Sequence, residues 1–391
     1  MTDVESPPAV DEAASAETPI GPVETARPGR GWRSGWKVER RLETPWFLEV
    51  AAIVGAILVA IAVSAILIAL AGSDVLDSYR ALYNGAFGTR NATIETLVQA
   101  TPLIFTGLAA AFAFRAKVWN IGGEGQLWAG TMGAFWASLI FAGAMPRALL
   151  IVVVMAFAAV FGALWAGIAA VLRTRFGVNE IIATVMLNFV IINVLSYLLS
   201  DLWQDPASFY YQSERMPDVV ALPRLFEGGR LHLGFVIALA MAAVVWFILE
   251  RTSFGYEVRS IGVNPRVASY GGIISNRIVL ATMLVSGAIA GLAGGSELTG
   301  IHLRLQLDIV SGLGFTGIII ALVARLRPVG VVAAAIVAGA VTNGATTMQL
   351  STGVPAALVD VLTGLTLVFV LIGAVVVNYR LRRVSIVEGQ A

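Results

Sequence analysis

Long apolar runs alternate with short polar stretches along almost the whole chain, and the length of the runs sets the architecture. A helix needs about 20 consecutive apolar residues to cross the hydrocarbon core of a bilayer. Runs near that length predict ten spans, at about 47–71, 94–114, 126–145, 148–171, 180–200, 233–250, 278–299, 312–324, 329–347 and 355–377. The eighth is short, and either extends back toward Leu305 or re-enters the membrane. The expected fold is therefore an all-α polytopic bundle with Gly-rich broken or re-entrant segments, its membrane domain covering residues 47–377. An even count places both chain ends on one side.

The first forty-six residues are a different material. Residues 1–46 are rich in Pro, Ala, Glu and Ser, with bases gathered late at Arg27, Arg30, Arg33, Lys37, Arg40 and Arg41. Low hydrophobicity of this kind predicts a disordered tail. The positive region is followed by a run long enough to span, not by a short apolar core and cleavage site, so a first transmembrane helix is expected in place of a signal peptide. Residues 378–391 form a second tail.

Basic residues orient the bundle. On the tail side lie Arg115 and Lys117, Arg173 and Arg175, Arg251, Arg259, Arg266 and Arg277, then Arg325 and Arg327. Cytoplasmic loops carry the Lys/Arg excess. Both termini are expected in the cytoplasm, and the long loop 201–232 outside.

Composition agrees and narrows the function. The chain is 58% hydrophobic and 13% charged, with a mean hydropathy of +0.82; a soluble domain carries about twice that charge. A net charge of +1 leaves no electrostatic footprint for nucleic acid. With no cysteine and two histidines, thiol chemistry is excluded and a metal site is not expected. The phosphate-cradling GxxxxGK[ST] pattern is absent, as is GxSxG. No enzyme activity and no cofactor are expected. Any ATP that drives this chain is bound by a partner.

Polar residues inside the apolar runs are the candidate chemistry, because lipid penalises them unless they serve packing or a path. Thr184 and Asn188, four apart, share a helix face. Thr342, Asn343, Thr346 and Gln349 crowd the outer end of the ninth run. Glu95, Glu124 and Asp360 are the acids near span ends, with no evident basic partner, which argues against a proton relay. Two Gly-rich breaks, Asn120–Gly125 (NIGGEG) and Ser311–Gly317 (SGLGFTG), interrupt the runs at corresponding places in the two halves. Paired interruptions of this kind point to a substrate path. Asn120, Glu124, Gln126, Thr184, Asn188, Asn343 and Thr346 are the candidate path residues. Glu124 has two readings: its carboxylate caps the N–H groups that open the third span, or it lines the path with Asn120 and Gln126. Gly287, Gly291 and Gly295 have the small-xxx-small spacing that lets helices approach closely.

The polar stretch 251–277 is too long for a minimal turn. Gly255 is expected to break the chain, Asn264–Pro265 to start a short helix through Tyr270, and Gly271–Gly272 to end it. Such a helix on the cytoplasmic face suits the docking of a partner.

Four segments together resemble permease subunits of bacterial ABC importers, in the branch for simple sugars and nucleosides that works with basic-membrane-protein-type lipoproteins. They are NIGGEGQLWAG (Asn120–Gly130), FGVNEIIATVMLNFV (Phe176–Val190), SIGVNPRVASYGGI (Ser260–Ile273) and GFTGIIIALVARLRPVG (Gly314–Gly330), within a likeness covering about residues 45–380. The resemblance implies a multi-pass protein of the bacterial cytoplasmic membrane. It implies a second, homologous permease, an ABC ATPase and an extracytoplasmic binding lipoprotein as partners. The implied cargo is a nucleoside; a ribose-like sugar is the alternative, and an ion-coupled secondary transporter or a structural or channel subunit the remoter ones. The loop 251–277 would be the ATPase coupling element, with Gly262, Asn264, Pro265, Ala268, Tyr270 and Gly271 on matching positions. It departs from the general importer loop in having no Glu-Ala-Ala triplet before the glycine.

Overall fold

In the computed structural model, the described residues are 33–40, 45–377 and 379–386, and they fall into two units. The smaller pairs strand β1 (Arg33–Arg40) antiparallel to strand β2 (Tyr379–Ile386), with Arg33 opposite Ile386 and Arg40 opposite Tyr379. Strand β1 lies inside the stretch expected as a disordered tail through residue 46. The cause is non-local: a partner strand at the far end of the chain satisfies backbone groups that local composition leaves unpaired. Residues 1–32 of that tail lie outside the described residues.

The larger unit is helical. In chain order it comprises α1 (Trp46–Leu70), α2 (Val75–Phe87), α3 (Arg90–Arg115), α4 (Gly123–Phe141), α5 (Arg147–Phe176), α6 (Glu180–Ser200) and α7 (Leu233–Arg251). Then follow α8 (Ser253–Val263), α9 (Pro265–Tyr270), α10 (Ser275–Glu297), α11 (Leu313–Val323), α12 (Pro328–Thr352) and α13 (Ala356–Val376). Among the described residues, seven are long and apolar enough to cross a membrane: α3, α5, α6, α7, α10 with its π-helical extension to His302, α12 and α13. The expected ten therefore do not all meet that standard. Helix α11 is shorter, and α4 and α11 are the two helices opened by glycine breaks.

Helix α2 was not expected, being too short and too polar for a span. Its Asp74 cap accepts the Asp77 N–H at 2.8 Å, and its Leu82 and Gly85 lie against Gly344 and Thr347 of α12. Gly255 does not break the chain; it sits inside α8, where a Cβ would strike the Ile248 and Leu249 carbonyls. The eighth run does not extend back to Leu305 as helix, because residues 303–312 are bends, a bridge and turns.

The core centres on α10, which packs on α3, α4 and α5. Its small-residue face is what allows this: a Cβ on Gly291 would fall on the Ala158 carbonyl of α5, and one on Gly287 on Ala166 and Gly162. Close backbone approach substitutes here for the hydrophobic drive that lipid removes. Loop 201–232 folds over the end of α10, with Ser213 N–H donating to Leu305 O at 3.0 Å and Leu222 N–H to Thr299 O at 3.0 Å. At the opposite end, Arg115 meets Glu250 at 3.6 Å and Arg259 meets Glu250 at 3.7 Å, beside α8.

Candidate functional site

The first break begins where α3 ends. Lys117 takes a left-handed conformation (φ 52°), and the chain turns back into the bundle. Asn120 then reaches Ser286, the midpoint of α10, donating from Nδ2 at 3.0 Å; Ser286 donates to Ala109 O at 2.7 Å. Helix α4 therefore starts inside the protein, not at its face. Asn120 and Gln126 form a reciprocal amide pair, Nδ2 to Oε1 at 2.9 Å and Nε2 to Oδ1 at 2.8 Å. Asn120 Oδ1 also accepts the Gly122 N–H at 3.0 Å. Buried amides arranged this way meet their hydrogen-bonding needs without water.

The second break begins with Gly312 at φ +83°, a conformation natural to glycine, and α11 follows it. Eleven residues cover about 16 Å at 1.5 Å per residue, half of a bilayer core. Its N-terminus thus lies deep in the bundle, and there the two breaks meet. The Glu124 carboxylate accepts the Gly312 N–H at 2.7 Å and the Gly314 N–H at 2.8 Å. A Cβ on Gly314 would strike the Glu124 backbone, so the glycine is what lets the segments touch. Glu124, 2% exposed, is an ion out of water, and the positive end of a helix with two charge-assisted hydrogen bonds compensates it. It caps α11, a helix 190 residues away, and not the helix on which it sits.

Helix α6 completes the joint. Asn188 Oδ1 accepts the Gly125 N–H at 2.8 Å, and its Nδ2 donates to Ile121 O at 3.1 Å. Asn188 is thus the cap of α4 supplied from another span. Thr184, one turn away, lies against Gly122 and donates its hydroxyl to Glu180 O at 2.7 Å. Asn120, Glu124, Gln126, Thr184 and Asn188 therefore form one buried assembly.

Asn343 and Thr346 lie elsewhere. Asn343 Nδ2 donates to Gly85 O at 2.8 Å and Ala92 O at 2.9 Å, tying α12 to α2 and α3. Thr346 opens on a cavity of about 360 Å³ between α11, α12 and α13, shared with Phe315, Gln349 and Asp360.

At the end where Arg115 and Glu250 pair, α8 and α9 fold as a hairpin. Asn264 Oδ1 accepts the Arg266 N–H at 3.0 Å, Pro265 occupies the first helical position, and Gly271 follows Tyr270. Ala268 is buried, and Gly262 presses on the Arg115 carbonyl. Val263 (80%), Val267 (63%) and Tyr270 (92%) are exposed; Val267 and Tyr270, three apart, share one face of α9, and Val263 ends α8 just before the extended Asn264. At the other end, Glu95 and Arg230 form a bidentate ion pair, Nε to Oε2 at 3.1 Å. Glu95 thus has the basic partner that the sequence did not reveal, because Arg230 lies 135 residues away. Ser286 was also missed; a hydroxyl between apolar residues in a span was the available signal.

A family described as "Branched-chain amino acid transport system / permease component" matches residues 92–371. The guanosine ABC transporter permease protein NupP of Bacillus subtilis is 36% identical over 81% of this chain and 91% of its own length. The glucose ABC transporter permease protein TsgB13 of Haloferax volcanii is 32% identical over 88% of this chain and 93% of its own. The nucleoside ABC transporter permease protein NupB of Lactococcus lactis is 29% identical over 82% and 89%. No solved structure matches the chain. The two breaks and their buried joint lie within the matched region, and the chain belongs to this family of ABC-importer permease components, multi-pass proteins of the cell membrane.

Proposed function

We propose that this chain forms half of the translocation path of an ATP-driven importer for nucleosides. As a permease component it is not itself an enzyme. ATP is hydrolysed on a partner ATPase, a homologous permease supplies the other half of the path, and an extracytoplasmic lipoprotein delivers the cargo. The observation that carries the reading is the exposure of Val267 and Tyr270 on one face of α9, with Val263 exposed at the end of α8 beside them, a knob for an ATPase groove on the end richest in arginine. Gly262, Asn264, Pro265, Ala268 and Gly271 shape and anchor it. The antiparallel pairing of the two tails supports placing both on one side, and the arginine excess makes that side cytoplasmic.

Within the bundle, Asn120, Glu124, Gln126, Thr184 and Asn188 act as the joint through which motion of the coupling hairpin reaches the path, while Thr346 faces the path itself and Asn343 holds its wall. Nucleosides are favoured over sugars by the guanosine and nucleoside permeases among its relatives. The glucose permease relative makes a simple sugar the second reading. Reconstitution with the cognate ATPase, second permease and lipoprotein tests the proposal. Nucleoside uptake is expected only with ATP; uptake by the isolated chain on an ion gradient overturns it.

A further inference from the structure

The cavity between α11, α12 and α13 has a chemistry that selects its ligand. Thr316, Thr342, Thr346 and Thr363 line it, and each donates its hydroxyl to the carbonyl four residues back in its own chain, at 3.0 Å in all four cases. Each threonine oxygen is left as an acceptor toward the cavity. Asp360, an acceptor only, and Gln349 complete the polar lining. No Lys, Arg or His is among the lining residues. The cavity therefore takes a ligand that donates several hydrogen bonds and carries no negative charge.

Position adds to this. Thr342, Thr346 and Gln349 fall at i, i+4, i+7 on α12, and Asp360 lies one turn inside α13. An exposed carboxylate in an otherwise apolar span is costly against lipid and marks a face turned to water or to protein. The floor is Phe315 and Thr316, in the first turn of α11 and next to Gly314, which Glu124 holds. The groove thus descends from the outer ends of α12 and α13 to the joined breaks. Phe315, 45% exposed, offers an aromatic face at its bottom. A volume of about 360 Å³ falls within the usual range for small-ligand sites.

Resting on the nucleoside reading, we propose that this groove is the outer half of the path, that Asp360 accepts the vicinal ribose hydroxyls, and that Phe315 stacks the base. The groove admits nucleosides and excludes nucleotides, whose phosphate Asp360 repels.

The assembled transporter in proteoliposomes tests this with tritiated guanosine, 2′-deoxyguanosine and guanosine 5′-monophosphate. Asp360→Asn is expected to raise KM for guanosine about tenfold and to abolish the preference for ribose over deoxyribose. An unchanged KM and preference in both Asp360→Asn and Phe315→Leu overturns the proposal. If the wild-type complex carries glucose and not guanosine, the nucleoside reading fails by itself; the groove then stands on a changed glucose KM in Asp360→Asn and falls on an unchanged one. Because the chain has no cysteine, a folding-neutral check is direct. Thr346→Cys is expected to react with a water-soluble methanethiosulfonate at least tenfold faster than Val152→Cys, on the exposed face of α5, and to be protected by substrate. Equal rates overturn the assignment of a water-filled path.

Discussion

The Glu124 carboxylate holds the Gly314 N–H at 2.8 Å, joining two helices that both begin inside the bundle. One buried ion serves as the cap of α11 while α4, which carries it, is capped by Asn188. The three elements cannot shift independently without stranding a charge or a backbone donor, and that makes the joint a mechanical link between the first and second halves of the chain.

Glu124→Gln keeps the shape but presents one amide donor to two N–H donors. The expected loss is about 2 kcal/mol, the size of a broken charge-assisted pair in a buried site. ATP-driven uptake should fall at least tenfold, and thermal unfolding in detergent should shift downward. Wild-type stability and uptake together would remove Glu124 from the joint.

Gly291→Ala drives a methyl into the Ala158 carbonyl of α5. Overpacking of this kind costs about 1–3 kcal/mol. Gly143→Ala, with nothing within 4 Å of the added Cβ, is the matched control and should be close to neutral. Melting curves of the two proteins decide it, and equal midpoints contradict the packing account.

Val267→Asp and Tyr270→Ala alter exposed groups on α9, so folding should be untouched. ATPase co-purification and uptake should both drop about tenfold or more. A complex that still assembles and transports at wild-type rates excludes the α8–α9 hairpin as the docking element.

His232 caps α7, its Nδ1 accepting the Gly234 N–H at 3.1 Å, and burial lowers its pKa to about 4. The folded state therefore holds the imidazole neutral while the unfolded chain protonates near 6.5. The unfolded state binds more protons as pH falls from about 6.5 to about 4, so stability is lost in that window. Between pH 7 and pH 5 the loss is about 2 kcal/mol, at 1.4 kcal/mol per pH unit. Arg230, Glu297 and His302 lie in the same region, so the measurement is a difference: His232→Asn keeps a capping side chain and should flatten the dependence of the melting midpoint on pH. Parallel curves for wild type and variant reject this role.

Much of this molecule was legible from residue order. Helix α6 spans residues 180–200 in both the expectation and the structure, because a capping Asn179 and an unbroken apolar run are local signals. The eighth run was placed within a residue at each end. The two Gly-rich breaks, Glu124 within the first of them and the small-residue face of α10 were likewise visible. The candidate path residues were less so. Thr184 and Asn188 do share a face, but what that face meets is the 118–126 segment, and no local pattern says so.

Residue order by itself determined that this chain lives in a bilayer, where most of its long apolar helices lie, and which polar side chains lie within them, since each follows from apolar length, caps and breakers acting within a turn or two. Only tertiary structure decided that Glu124 answers α11 rather than its own helix, that Glu95 has Arg230, that β1 finds β2, and that Thr346 and Asp360 face one cavity. Those outcomes depend on partners more than a hundred residues away, except the last pair, which two helices bring together. A buried charge or unpaired backbone group is stabilised by whatever the fold places within about 3 Å of it, and chain connectivity does not record that distance.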